Sequence, residues 1–309
     1  MKPNSISYLL LQSFLIFCIL IKVNAQTTSP VQHIFPQGTI TYSNIPYSND
    51  TLTKHMLDLY LPPDTKNNLP LVVWIHGGAW MLNDKYADMG YMQNTVRGFI
   101  DSGYALASIN YRYSTDSVFP AQIQDCNQAL EFLYQHAAQY HIDNSRIAVI
   151  GFSAGGHLAS LMALSNNNNV KDFYPPGLKA HFHIKALLDF YGPSDFIMIA
   201  SNPDTTVNNA RNPVSILLGA QPVDRPDLAR RASPVTYVDK NDPPVLIVQG
   251  EKDESVPNTQ SRLLNSWLAI NGVQHQLIIV PNAPHYGVMF DTDDIRKNVF
   301  AFLAAYLRP

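Results

Sequence analysis

The stretch "IAVIGFSAGGHLA", residues 147 to 159, sets apolar residues before Gly151 and then holds Ser153 among small residues. The apolar run reads as a strand buried on both faces, and the small residues after it as the first turns of a helix. A lone hydroxyl at such a junction raises a question of purpose. The pattern glycine, any, serine, any, glycine arises by chance in many chains, so the residues around it must decide its meaning.

On both sides of this stretch, short apolar runs rich in β-branched residues recur: "MLDLYLP", "LPLVVWIHG", "YALASINYR", "IKALLDFYG", "PPVLIVQG" and "HQLIIVPNA". Between them lie helical patterns, "AQIQDCNQALEFLYQHAAQY" at 121 to 140 and "NTQSRLLNSWLAING" at 258 to 272, the second closing on a glycine stop. Strands alternating with helices along the whole length predict one α/β domain over 26 to 309 with a mostly parallel sheet and helices on both faces. "GTITYSNIPY", at 38 to 47, is expected to begin an antiparallel edge. Residues 194 to 241, rich in Pro, Asn and Asp, read as an excursion over the active-site end of the sheet, and "NNNN" at 166 to 169 as a surface loop.

With 46% hydrophobic and 15% charged residues among 309, the composition excludes a disordered chain. The formal net charge of -3, with no block of Lys or Arg, leaves no stripe for a phosphate backbone, so nucleic acid is not an expected partner. The run Leu9 to Ile21 follows Lys2 and precedes "VNA". It is short against the roughly 20 residues that span a bilayer, which predicts a signal peptide over 1 to 25, cut between Ala25 and Gln26, ahead of an uncleaved anchor. A lipoprotein anchor at Cys18 is disfavoured by the bulky Ile16 and Phe17. The mature chain would then be secreted or periplasmic, with no membrane partner and Cys126 as its only cysteine, read as a small buried hydrophobe.

Ligands of open parallel sheets sit beyond the carboxyl ends of the strands. Four strand ends offer reactive groups there: "HGGAW" at 76 to 80, Ser153, Asp253 in "GEKDESVP" and His285 in "PNAPHYG". The chain order Ser, Asp, His with the serine on a strand-to-helix elbow is that of α/β-hydrolases. In this arrangement His285 takes the proton of Ser153, Asp253 orients the imidazole, and the amides of Gly78, Ala79 and Ala154 meet the oxyanion. Glu251, Glu254 and Asp195 are alternative acids, less well placed than Asp253. His76 and His157 read as structural residues, while Trp80 either lines an acyl pocket or anchors its loop. "HFH" at 181 to 183 lacks a nearby third ligand for a metal, and "DTDD" at 291 to 294 reads as a helix N-terminus. No Gly-rich phosphate loop is present, and the chemistry requires no cofactor and no metal.

These motifs resemble the α/β-hydrolase esterases and lipases, and within them the branch carrying "HGGxW", as in feruloyl and acetyl xylan esterase-like proteins and kynurenine formamidase. "LDLYLP", "VVWIHGGAW", "SINYRYS", "FPAQIQD", "GFSAGGHLA", "DFYGPSDF", "ASPVTYV", "PPVLIVQGEKDESVP" and "PHYG" fall in the family's order. Pro284 departs from the glycine that often precedes the family's histidine. The resemblance implies a serine carboxylesterase with an open cleft, acting on an acylated small molecule or polysaccharide such as an acetylated or feruloylated plant polymer. It leaves as alternatives an arylformamidase of the kynurenine formamidase kind and a non-catalytic binding protein on a hydrolase fold. A serine peptidase of the prolyl oligopeptidase kind would need a large additional domain.

Overall fold

The computed structural model describes residues 29–65, 68–168, 170–201 and 210–307. The expected signal peptide and Cys18 lie outside these residues. Eight strands form one sheet: β1 (Ile40–Pro46), β2 (Met56–Leu61), β3 (Leu69–Ile75), β4 (Ala105–Ile109), β5 (Ile142–Phe152), β6 (Ile184–Phe190), β7 (Val245–Gly250) and β8 (His275–Val280). Their spatial order is β1-β2-β4-β3-β5-β6-β7-β8. β1 and β2 pair antiparallel, as do β2 and β4; every other pairing is parallel.

The helices are α1 (Gln93–Asp101), α2 (Ala121–Gln135), α3 (Ala154–Ser165), α4 (Phe196–Ser201), α5 (Pro213–Leu218), α6 (Pro226–Ala232), α7 (Thr259–Ile270) and α8 (Asp293–Leu307). Side chains alternate across each strand, so the two faces of the sheet collect separate cores. On β3, Leu71, Val73 and Ile75 face a core shared with α2, α3 and α7, where Leu130, Leu161 and Leu264 pack. Val72 and Trp74 face the other, shared with α1 and α8 through Phe99, Val299 and Leu303. Central strands apolar on both faces are what this double cover requires.

Local chemistry sets several boundaries. Asn212 caps α5 by accepting from the Val214 amide at 2.9 Å, Pro213 fills the first turn, and Gly219 ends the helix at φ 70°. α2 stops at Gln135, short of the pattern that runs to Tyr140, because β5 begins at Ile142. The chain reverses through His141 at φ 54°, and the Ile142 amide bonds back to the Ala137 carbonyl at 2.9 Å.

The acidic cluster at 291 to 294 divides its work. Asp293 and Asp294 occupy the first turn of α8. Asp291 instead reaches α1, accepting from the Asn94 and Thr95 amides at 2.9 Å each and from the Thr95 hydroxyl at 2.7 Å. α1 has no side-chain cap of its own at Met92, so this distant carboxylate satisfies its orphan amides. Replacing Asp291 with Ala should therefore cost about 2 kcal/mol of folding free energy, read from urea unfolding midpoints at constant slope. A loss of less than about 0.5 kcal/mol would show that water caps α1 equally well.

Candidate active site

β5 ends at Phe152 and α3 begins at Ala154, leaving Ser153 as the single residue of the turn, at φ 53° and ψ -117°. Such a backbone holds only where the surroundings dictate it. A Cβ on Gly151 would lie 2.1 Å from the Gly155 carbonyl oxygen, and one on Gly155 would lie 2.0 Å from that of Ile75. Both clashes involve backbone, which cannot yield as a side-chain tip could, so the two glycines permit the turn to close against β3. The Ser153 amide bonds the Phe190 carbonyl at 2.9 Å, fixing the elbow to β6.

Three side chains expected from the sequence meet there. His285 Nε2 lies 2.8 Å from Ser153 Oγ, and His285 Nδ1 lies 2.7 Å from Asp253 Oδ2. Asp253 is itself buried and accepts from Gln249 Nε2 at 2.8 Å and from the Ser255 and Val256 amides at 2.9 and 2.8 Å. With its carboxyl occupied as an acceptor on every side, the imidazole proton belongs on Nδ1, and Nε2 is left to accept from the serine hydroxyl. The alternative acids stand elsewhere: Asp195 accepts from the Ile197 and Met198 amides at the start of α4, Glu251 accepts from the Asn282 amide, and Glu254 is exposed. Pro284 fits because its segment packs by carbonyls, with the Ala283 oxygen accepting from the Lys252 amide at 2.9 Å.

The loop after β3 runs through positive φ at Gly78 (120°), Ala79 (53°) and Trp80 (59°). The Gly77 amide donates to Asp88 Oδ2 at 2.7 Å. The amides of Gly78, Ala79 and Ala154 have no acceptor among the described residues, and all three residues line the same cavity as Ser153 and His285. Trp80 is among the residues lining that cavity, and its indole N–H donates to His157 Nδ1 at 3.2 Å. His157 passes the contact on, donating from Nε2 to the Ala232 carbonyl at 2.7 Å. His76 donates from Nδ1 to the Gly77 carbonyl at 2.7 Å and stacks on Tyr111 at 4.4 Å between ring centres. Burial lowers both of these histidines to about 4, which keeps them neutral supports.

Several contributors carried no pattern in the sequence. Tyr91 OH donates to Asp88 Oδ1 at 2.5 Å and lies 2.9 Å from Tyr191 OH, whose ring stands edge-on to His285 at 5.0 Å. Tyr191 directly follows β6, so extending the strand-end rule by one strand would have found it; Asp88 sits in a loop with no such signal. Cys126 is free and buried, with its thiol pushed up by desolvation. His181 of "HFH" is taken up by Glu131 at 2.7 Å. No helix among the described residues is long and apolar enough to cross a membrane.

The cavity is about 650 Å³, walled by apolar side chains that include Ile199, Val214 and Val256, with Leu82 and Tyr286 at its exposed rim. Fold and comparisons together make the chain an α/β-hydrolase. A family model described as BD-FAE matches residues 57–268, and the chain belongs to that family. Among curated proteins it is similar to "Esterase LipQ" of Mycobacterium tuberculosis, 30% identical over 79% of this chain and 56% of that one. The chain spans about half the length of the curated relatives it matches. Among solved structures, a "truncated form of carbohydrate esterase from gut microbiota" superposes with a TM-score of 0.79 at 31% identity, covering 88% of this chain and 98% of that one. A "bifunctional GH43-CE" of Bacteroides eggerthii gives 0.78 at 35% identity, covering 86% and 35%.

Behind the elbow, Asp189 is fully buried, accepts from the Gly192 amide at 2.9 Å, and would stand 2.6 Å from a Cβ on Gly156. Desolvation raises its carboxyl from 3.8 to about 7. A carboxyl that holds its proton more tightly folded than unfolded stabilises the fold in acid, and that contribution is lost as pH rises from about 4 through about 7. Asp189→Asn should therefore gain on wild type by at least about 1 kcal/mol between pH 5 and pH 8, measured by urea unfolding at both. A difference independent of pH would mean the group titrates normally.

Proposed function

We propose that this protein is a secreted or periplasmic serine carboxylesterase that removes small acyl groups, acetyl or feruloyl, from plant polysaccharide. The observation that carries the reading is the Ser153–His285–Asp253 chain of contacts at 2.8 and 2.7 Å beside unoccupied amides. In this reading Ser153 Oγ attacks the acyl carbon while its proton passes to His285 Nε2. The negative oxygen is met by the Gly78, Ala79 and Ala154 N–H groups, and Asp253 stabilises the imidazolium. Collapse breaks the bond to the alcohol, which leaves with the proton from His285. Water, giving its proton to His285, then attacks the acyl-enzyme; the second collapse frees the carboxylic acid and returns that proton to Ser153.

Substrate class rests on the shape and chemistry of the cavity and on the carbohydrate esterases among the similar structures. No lysine or arginine among the described residues lines the cavity, and Asp88 does, so an uncharged ester suits it better than an anionic one. Export rests on the apolar run Leu9 to Ile21 followed by a small-residue cleavage pattern.

Hydrolysis of p-nitrophenyl acetate by wild type and Ser153→Ala tests the reaction. Removal of the hydroxyl should lower kcat by at least about 10³-fold, and equal rates would end the esterase reading. The polymer is tested separately at Tyr286, 64% exposed next to His285 with its ring 6.0 Å from that of Tyr91. As a platform for a sugar ring, Tyr286→Ala should lower kcat/KM on acetylated xylo-oligosaccharides about tenfold and on p-nitrophenyl acetate less than threefold. Equal losses on both substrates would remove the platform role.

A further inference from the structure

Asp88 places a carboxylate in the cavity wall where an anion is about to form, an arrangement that opposes catalysis unless the group serves another end. Its two oxygens have separate partners. Oδ2 accepts from the Gly77 amide at 2.7 Å and Oδ1 from the Tyr91 hydroxyl at 2.5 Å. Because the single proton of Tyr91 is spent on Asp88, the 2.9 Å contact between the tyrosines makes Tyr191 the donor to Tyr91. The chain of contacts thus runs from the loop after β3, through Asp88, Tyr91 and Tyr191, to the edge-on ring contact with His285.

Gly77 is the residue just before the two whose amides are free. The position of a Cβ on Gly77 would lie 3.4 Å from Asp88 Oδ2 and 3.5 Å from Ser153 Cβ, so carboxylate and nucleophile flank the same face of this glycine. A bond to the Gly77 amide fixes the peptide plane from which the left-handed backbone of Gly78 and Ala79 starts. The Gly77 carbonyl is held separately by His76 Nδ1 at 2.7 Å, and the Gly78 carbonyl by the Met81 and Leu82 amides at 3.0 and 2.9 Å. Loss of the Asp88 bond therefore frees the plane on the amino side of Gly77 and, through a residue with little resistance to rotation, loosens the aim of the amides that follow.

We infer that Asp88 is a positioning residue of the esterase reaction, holding the Gly77 amide so that Gly78 and Ala79 present theirs to the oxyanion, and steadying His285 through Tyr91 and Tyr191. The inference rests on the esterase reading above. It assigns the effect to hydrogen-bond geometry and not to charge, since a negative charge beside the oxyanion works against the reaction. An asparagine amide oxygen can accept from Gly77 equally well, and its NH2 group can donate to Tyr91.

The test measures kcat and KM on p-nitrophenyl acetate for wild type, Asp88→Ala, Asp88→Asn, Tyr91→Phe and Ser153→Ala, with melting temperatures alongside. Asp88→Ala should lower kcat by about 30-fold or more with KM changed less than threefold, because a misaimed amide is felt only in the transition state. Asp88→Asn should recover to within about fivefold of wild type. Tyr91→Phe should lower kcat about threefold at constant KM, and with Asp88→Asn it carries the test if Asp88→Ala does not fold. The inference is overturned by a kcat for Asp88→Ala within twofold of wild type, by a loss that appears in KM instead, by Asp88→Asn as slow as Asp88→Ala, or by Tyr91→Phe at the wild-type rate. Should Ser153→Ala keep full activity, the esterase reading itself fails; should it be inactive while Asp88→Ala is unimpaired, only this inference falls.

Discussion

The closeness of the turn after β5 to the end of β3 constrains everything else in the site. Gly155 lies against the Ile75 and His76 carbonyls with no room for a methyl group. That contact places the start of α3 directly behind the loop of residues 76 to 80 and forces Ser153 into positive φ. A non-glycine residue held there costs about 1–3 kcal/mol, which must be offset by the surrounding fold. The offset is visible in β5, whose Ile147 and Val149 face one core and Ala148, Ile150 and Phe152 the other, all fully buried. A strand clamped from both faces cannot relax its final residue, and the strain is delivered to the hydroxyl.

The neighbouring loop is held differently. Its backbone bends through positive φ at three successive residues, two of them with side chains. It is tied down on opposite sides: the Trp80 indole bonds His157 in α3, while the Gly77 amide bonds Asp88 further along the chain. The first contact links the loop to the helix that begins at Ser153, the second to the tyrosines beside His285. A loop anchored on both of these sides is fixed in place against the elbow and the imidazole.

Much of this was legible in the sequence, for a physical reason. Strands buried on both faces must be apolar throughout, so the central strands could be seen as runs, and the rule that parallel sheets bind ligands at their carboxyl ends turned those runs into a short set of candidate residues. Ser153, Asp253 and His285 stood out because each follows a strand. Asp88 and Gln249 did not, since one lies mid-loop and the other within a strand, and their contacts depend on pairings between loops that no local pattern encodes. Asp291 shows the same limit. Its place in an acidic cluster before α8 pointed to its own helix, whereas its carboxylate caps α1, almost two hundred positions earlier. The end of α2 was overrun because its pattern stays helical after the chain has to turn into β5.

The supports around the site also divide by how they respond to protons. His76 and His157, lowered to about 4, are neutral when folded but would take up protons near their ordinary value when unfolded, so acid below about 6.5 works against the folded state through both. Asp189, raised to about 7, acts in the opposite sense: its contribution is present in acid and is lost as pH rises from about 4 through about 7. Two groups pull one way and one the other, and each tenfold change in proton affinity on folding is equivalent to about 1.4 kcal/mol. The buried layer that aims the loop and the elbow is therefore least burdened near neutral pH, where both histidines are satisfied and Asp189 is only partly ionised. Burial that excludes water from the anchors leaves them with a preferred pH, and the half-buried His285 is the one histidine among the residues lining the cavity.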